Sequence, residues 1–227
     1  MILLAIDTAT EACSAALSVD DALIWRYQVA PRDHTRLILP MIEELLAEGG
    51  IGRADLDAIA FGRGPGSFTG VRIGTGVTQG LALALDLPVV PVSNLAAMAW
   101  GAVREFGATR VHAAIDARMG EVYYAAYRND ESGLEILAEE RVTAADAVPA
   151  DESPAIGVGT GWGSYRPALR ARLPNVDEIH DAYLPHARAI AELAAPIFAK
   201  GGGVAPDDAL PVYLRNQVTH VAASKAG

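Results

Sequence analysis

The amino-acid sequence predicts an α/β protein of two similar lobes, each built on a mixed sheet. Three observations carry the prediction. Two apolar strands that each end in aspartate, residues 2–7 (ILLAID) and 111–116 (VHAAID), stand 109 residues apart in a chain of 227, which suggests an internal repeat. After each, two further strands joined by short turns give way to strands alternating with helices. Apolar residues make up 51% of the chain, ample for two ordinary cores.

In the first half, strands at 13–19 and 22–29 flank Asp20 and Asp21 as a tight turn. The following helix has Asp33 as its N-cap and Gly49 as its C-cap, with a wide apolar stripe of Leu37, Ile38, Met41, Ile42, Leu45 and Leu46. Pro40 should either kink that helix or mark its start. A short strand at 57–61, a glycine-dense turn, a helix, a strand at 88–92 and a helix at 93–105 complete the half. In the second half, strands are expected at 121–128, 134–143, 155–158 and 176–180, with helices at 164–173 and 186–200. Three mostly antiparallel strands extended by strands alternating with helices describe the doubled lobe of the actin, hexokinase and Hsp70-like ATPases. The first lobe is placed at residues 1–105 and the second at 106–227, leaving open whether the tail after about 210 packs back on the first.

The most informative stretch is GRGPGSFTGVRIGTGVTQG at 62–80. Gly70, Gly74, Gly76 and Gly80 together cost a helix roughly 3 to 4 kcal/mol relative to alanine, offset either by amides brought close to a phosphate at the helix N-terminus or by close approach of other backbone, and the spacing favours the second. At about 100° per residue, Gly70 and Gly74 share one flank while Gly76 and Gly80 share another. One core needs only one smooth flank, so the other is expected to meet a partner helix, bordered by the preceding helix. The expected interface comprises Gly70, Val71, Gly74, Thr75, Thr78 and Gly80 with Leu37 and Met41.

Charge and composition exclude several classes. The net charge of −10 divides evenly between the halves, and only Lys200 and Lys225 are lysines, so any nucleic-acid role is expected to run through a partner. The apolar run near Leu81 stops at Asp86, too short to span a membrane. The N-terminus lacks a basic leader, and Cys13 is the single cysteine, which together point to the cytoplasm.

In the actin-like lobes, turns after the first strands hold nucleotide phosphates. Asp7, with Thr8 and Thr10 after it, and Asp116 stand at those points, and Gly157, Gly159 and Gly161 in GVGTGW follow a strand where they would border an adenosine. The bland alternative is that each aspartate caps a turn and each glycine simply makes one. The turn DTATEA has no glycine pair for close approach to a phosphate, and no P-loop is present. The five histidines, His34, His112, His180, His186 and His220, form no helical pair, and Ser67 is not a nucleophile elbow because Pro65 stands where glycine is required.

A more specific signal covers nearly the whole chain. The segments AIDTATEACSAAL at 5–17, DHTRLILP at 33–40, GRGPGSFTGVRIG at 62–74, LPVVPVSNLAAMA at 87–99, AAIDARMGEVY at 113–123 and PVYLRNQV at 211–218 resemble the TsaB (YeaZ) family in order. That resemblance implies a non-catalytic relative of TsaD, which transfers a threonylcarbamoyl group to adenosine 37 of tRNAs reading ANN codons. It implies pairing with a TsaD-like subunit, a TsaE-like ATPase as third component, and a homodimer when the chain is alone. It implies no cofactor of the chain's own, with ATP or ADP held weakly or shared within the complex. TsaD-like enzymes bind their metal through two histidines of a motif resembling N-H-L-E-G-H, and here those positions fall on Asn94 and Met98, neither of which suits such an ion. A glycoprotease-type metallopeptidase and a small-molecule kinase of the same fold stand as alternatives.

Overall fold

In the computed structural model, residues 1–20, 22–131 and 133–215 are described, so the expectations resting on Asp21, on the segment after Arg215, and on His220 and Lys225 lie outside them. The chain begins with β1 (Ile2–Asp7), apolar up to its last residue and buried on both faces. It lies at the centre of a five-stranded sheet ordered β3-β2-β1-β4-β5, with β2 at Ala12–Val19, β3 at Ala22–Val29, β4 at Ala58–Gly62 and β5 at Val89–Val92. β1 pairs antiparallel with β2 and parallel with β4. A second five-stranded sheet repeats the arrangement as β8-β7-β6-β9-β10. Its strands are β6 (Arg110–Arg118), β7 (Glu121–Asp130), β8 (Gly133–Ala144), β9 (Ala155–Val158) and β10 (Val176–His180). This is the duplicated sheet of the actin and hexokinase type.

Five helices cover the sheets among the described residues: α1 (His34–Gly49), α2 (Phe68–Leu85), α3 (Asn94–Phe106), α4 (Thr160–Arg172) and α5 (Ala187–Ala199). Helix α1 runs through Pro40, and its left-handed cap is Gly50 (φ 65) rather than Gly49. Helix α4 starts earlier than expected, since a first turn at 160–164 precedes a break at Tyr165 (φ −133), two residues before Pro167.

Side chains alternate across β1, so Leu4 and Ile6 face α1 and α2 while Leu3 and Ala5 face α5. In the second sheet, α3 packs Leu95, Met98 and Ala102 on Val111 and Ala113, and α4 packs Trp162 and Leu169 on Ala114 and Tyr124. The division at residue 105 is therefore not the spatial one. Helix α3, from the first half, covers the second sheet, and α5, from the second half, covers the first. Small residues explain the latter, since Ala187, Ala191 and Ala194 meet Ala5, Ala16, Ala58 and Ala60. After α5 the chain stays on the first lobe, where Val204 bridges Val89 and Val212 donates its N–H to the Arg63 carbonyl at 2.8 Å.

Candidate functional site

The turn between β4 and α2 borders two surface features, the cleft lined by Thr10 and Asp116 and the outer flank of α2. The chain leaves β4 through Gly62, turns at Gly64 and Gly66, and enters α2 behind Ser67, whose Oγ accepts the Gly70 N–H at 3.1 Å. The turn is fastened to the end of β1, because Ser67 donates its N–H to the Ala9 carbonyl at 2.7 Å and Thr8 Oγ1 donates to the Gly70 carbonyl at 2.7 Å. A Cβ at Gly66 would lie 2.4 Å from the Ala9 oxygen, one at Gly70 would lie 2.1 Å from the Thr8 oxygen, and one at Gly74 would lie 2.8 Å from Thr8 Oγ1. These glycines bring α2 against the first turn of its own lobe. Nothing lies within 4 Å of a Cβ built at Gly76 or Gly80.

That contrast corrects the expected interface. Gly70, Val71, Gly74, Thr75 and Thr78 are buried against this chain's own residues, and so is Met41, while Leu37 is half-buried beside the same core. Gly80 does face outward. The exposed stripe of α2 is Phe68, Arg72, Gly76, Gly80 and Leu83, the last 67% exposed.

Of the candidate phosphate residues, only Thr10 and Asp116 meet in one cleft. Thr10 and Asp116 line a cleft of about 460 Å³ with Glu11, Ser67, Arg118 and Thr160. Thr10 is buried and its hydroxyl has no partner, while its carbonyl accepts from His34 Nε2 at 2.8 Å, so His34 serves the fold. Asp116 accepts from Arg118 N–H at 2.7 Å, Ser164 Oγ at 3.0 Å and Tyr165 Oη at 3.2 Å. It is tied into the second lobe by hydroxyls that the sequence reading passed over, although Thr160 and Ser164, one turn apart at a helix start, are their signal. Thr8 is spent on α2. Gly157 and Gly159 do not face the cleft: the Trp162 ring would lie 2.6 Å from a Cβ at Gly157, and the Ala114 oxygen and Met98 Cε would lie 2.4 Å from one at Gly159. Packing, rather than an adenosine, accounts for that trio.

Asp7 is buried behind the cleft. Asn94, N1 of α3, donates from Nδ2 to Asp7 Oδ1 at 2.6 Å and accepts the Gly64 N–H on Oδ1 at 2.8 Å. Burial pushes the Asp7 carboxyl up to about 7, against the hydrogen bonds from Asn94 and the Ala9 and Thr8 amides that pull it down. Its Oδ2 has no partner. Asn94 is thus fully engaged, and Met98 is enclosed in the core of the second lobe. A metal does not fit these residues, and no cluster of three His, Cys, Asp or Glu side chains among the described residues could hold one. No described helix is long and apolar enough to cross a membrane.

The tail completes the outer surface. Arg72 Nε donates to Tyr213 Oη at 2.8 Å, and the Arg72 guanidinium lies 3.6 Å over the Phe68 ring. Pro65, Phe68, Val71, Tyr123, Val212 and Tyr213 line an apolar groove of about 450 Å³ there.

Fold and site together define a two-lobed α/β protein built on the doubled sheet of the actin and hexokinase type. The family described as TsaD, tRNA N6-adenosine threonylcarbamoyltransferase, matches residues 28–158. The tRNA threonylcarbamoyladenosine biosynthesis protein TsaB of Escherichia coli K12 is 47% identical over 223 residues, covering 96% of both chains. Its counterpart in Haemophilus influenzae is 43% identical over 229 residues, covering 96% of this chain and 95% of that one. The solved structure of YeaZ from Pseudomonas aeruginosa matches with a TM-score of 0.86 at 46% identity, covering 94% of this chain and 99% of that chain. The chain belongs to the TsaB (YeaZ) family of tRNA threonylcarbamoyladenosine biosynthesis.

Proposed function

We propose that this chain is the non-catalytic partner of a TsaD-type threonylcarbamoyltransferase and acts by pairing with it through the outer flank of α2. The observation that carries the reading is the occupation of the two metal-ligand positions. Asn94 is consumed by Asp7 and Gly64, and Met98 by the core, so neither can turn toward an ion without leaving a buried polar group unpaired or a cavity behind. The open glycines Gly76 and Gly80 support the second half, since their cost to the helix has no return inside the monomer. Catalytic metal, tRNA contact and ATP hydrolysis then belong to other subunits, the last to a TsaE-like ATPase; any ADP or ATP is shared at the assembly. Within the cell the chain works in the cytoplasm, where the tRNA substrates of its catalytic partner are.

The peptidase reading attached to a related Pseudomonas aeruginosa structure needs a hydrolytic centre. The cleft around Thr10 and Asp116 is lined by no histidine, cysteine or lysine that could serve as base or thiol nucleophile, and no metal set is found among the described residues. The test is metal analysis and peptide cleavage by the purified chain, alongside co-purification with a TsaD-type subunit. Expected are no stoichiometric metal, no cleavage and a stable pair; tightly held zinc or iron lost on substituting Asn94 or Met98 would contradict the reading.

A further inference from the structure

The two sheets have four outer edges, and three of them are blunted. Val204 exchanges both backbone hydrogen bonds with Val89 on β5, at 2.8 and 2.9 Å. The register of β8 slips twice against β7, and β10 is a five-residue strand whose register slips at Asp177. Bulges and short strands are how native sheets discourage further pairing. The edge at β3 has none of these devices: it pairs with β2 without a break from Ala12↔Val29 to Val19↔Ala22, and it carries no proline or lysine. Its outward groups follow from the register. Asp20 donates its N–H to the Met1 carbonyl at 3.0 Å and Ala30 donates to the Glu11 carbonyl at 3.0 Å, so Ala22, Ile24, Arg26 and Gln28 bond to β2. Leu23, Trp25, Tyr27 and Val29 therefore turn their N–H and C=O groups away from the sheet, where no backbone among the described residues meets them. The Trp25 carbonyl accepts Arg26 Nη1, a side chain of the same strand, at 3.2 Å.

The same residues carry exposed apolar side chains, Trp25 at 41%, Tyr27 at 39% and Val29 at 56%. The two rings are held in place, because Tyr27 stacks on His186 with 4.7 Å between ring centres and the Arg188 guanidinium lies 4.7 Å over Trp25. Covering them costs little side-chain entropy. On the other face of the strand Arg26 stands between Glu44 and Glu48, one guanidinium against two carboxylates, which leaves a net charge of −1 there in a chain of −10. We propose that β3 takes an extended segment of another protein as a sixth, antiparallel strand, with apolar residues opposite Trp25 and Tyr27 and basic residues opposite Ile24 and Gln28, on the face of Glu44 and Glu48. Area argues against a second folded copy. The edge from Leu23 to Val29 is about 24 Å long and about 10 Å deep with its side chains, so it covers roughly 240 Å² per partner, against the ~800 Å² that a stable pair of folded proteins needs. Self-pairing centred on Arg26 would also set two guanidinium groups opposite each other. This edge lies two strands away from β4, on which α2 packs, so it is a surface separate from the flank assigned above to a TsaD-type partner.

The probe is the peptide Val-Lys-Val-Thr-Val-Lys-Val, acetylated and amidated. Its controls are a copy N-methylated at every valine, which cannot donate to β3, and Val-Glu-Val-Thr-Val-Glu-Val. Binding to the full chain is measured by titration calorimetry, and amide hydrogen exchange is followed by NMR. Expected are a reversible complex, exchange of the Leu23, Trp25, Tyr27 and Val29 amides slowed at least about tenfold at saturation, and a Kd raised at least about tenfold for each control peptide. Tyr27→Pro removes one outward N–H and leaves the ladder to β2 intact, and Trp25→Lys removes a ring and adds like charge. Each should weaken the probe about tenfold or more, with circular dichroism checking the fold; if either variant unfolds, the N-methylated peptide decides the matter on the parent chain. No binding at millimolar probe, unchanged exchange at those four amides, or an N-methylated peptide that binds as tightly as the probe would each overturn the inference. So would a parent dimer, seen by sedimentation equilibrium, that Trp25→Lys dissolves, because the edge would then serve a second copy.

Discussion

Asn94 Nδ2 stands 2.6 Å from Asp7 Oδ1, joining the start of α3 to the end of β1 at a point where no water-facing side remains. Each helps to fix the other: the carboxylate orients the carboxamide whose oxygen then receives the Gly64 N–H. The pair also holds a carboxyl whose charge is costly to keep.

The first prediction concerns pH. Because burial raises the folded Asp7 carboxyl from 3.8 to about 7, its contribution to stability is fully present below pH 3.8 and is lost as pH rises through about 7. His112 and His186 act oppositely, since burial lowers both from 6.5 to about 4 and their contribution is lost as pH falls through that range. Asp7→Asn should leave the histidine contribution in place and remove the carboxyl's. Urea unfolding at a series of pH values should therefore show the variant gaining on the parent from pH 4 to 8, by on the order of a few kcal/mol. A constant difference across that range would contradict the assignment.

The second prediction separates the two glycine flanks. Gly70→Ala places a methyl 2.1 Å from the Thr8 carbonyl oxygen and should destabilise the chain by about 3 kcal/mol or more. Gly76→Ala and Gly80→Ala meet open space and should each stabilise the isolated chain by roughly 0.5 to 1 kcal/mol through helix propensity. The same two methyls should weaken association with a TsaD-type subunit. Thermal unfolding and titration calorimetry read both effects, and unchanged affinity in Gly76→Ala and Gly80→Ala would remove the flank from the interface.

Much of this was legible beforehand. The strands at 155–158 and 176–180 and the repeat of Asp7 in Asp116 follow from apolar runs and turn residues, which are local signals. The two flanks of α2 were also readable from spacing, but their orientation was not, because Thr8 reaches Gly70 and Gly74 only when β1 and α2 are packed. The exchange of α3 and α5 between sheets was hidden for a like reason: an alanine-rich helix face does not announce which sheet it will meet. GVGTGW misled most. A glycine that admits the Trp162 ring and one that admits a ligand look identical in sequence, and only the tertiary contact tells them apart.

A third prediction concerns tRNA. The chain's net charge is −10, and Arg26, Arg36, Arg53, Arg110 and Arg166 are already neutralised by carboxylates at their own sites. The purified chain should show no appreciable tRNA binding at physiological salt, since phosphate contact needs a basic surface. Electrophoretic mobility shift or fluorescence anisotropy decides it; submicromolar, salt-sensitive binding by the chain without partners would contradict the expectation.

The most direct measurement is reconstitution of threonylcarbamoyl transfer to tRNA from a TsaD-type subunit, a TsaE-like ATPase and the threonylcarbamoyl adenylate, with and without this chain. Modified nucleoside is quantified by mass spectrometry. The account predicts that modification requires the chain, and that Asn94→Ala or Met98→Leu lowers stability while the folded variants still support the reaction. Modification at full rate without the chain, or a chain that completes the transfer in the absence of any TsaD-type subunit, would contradict it.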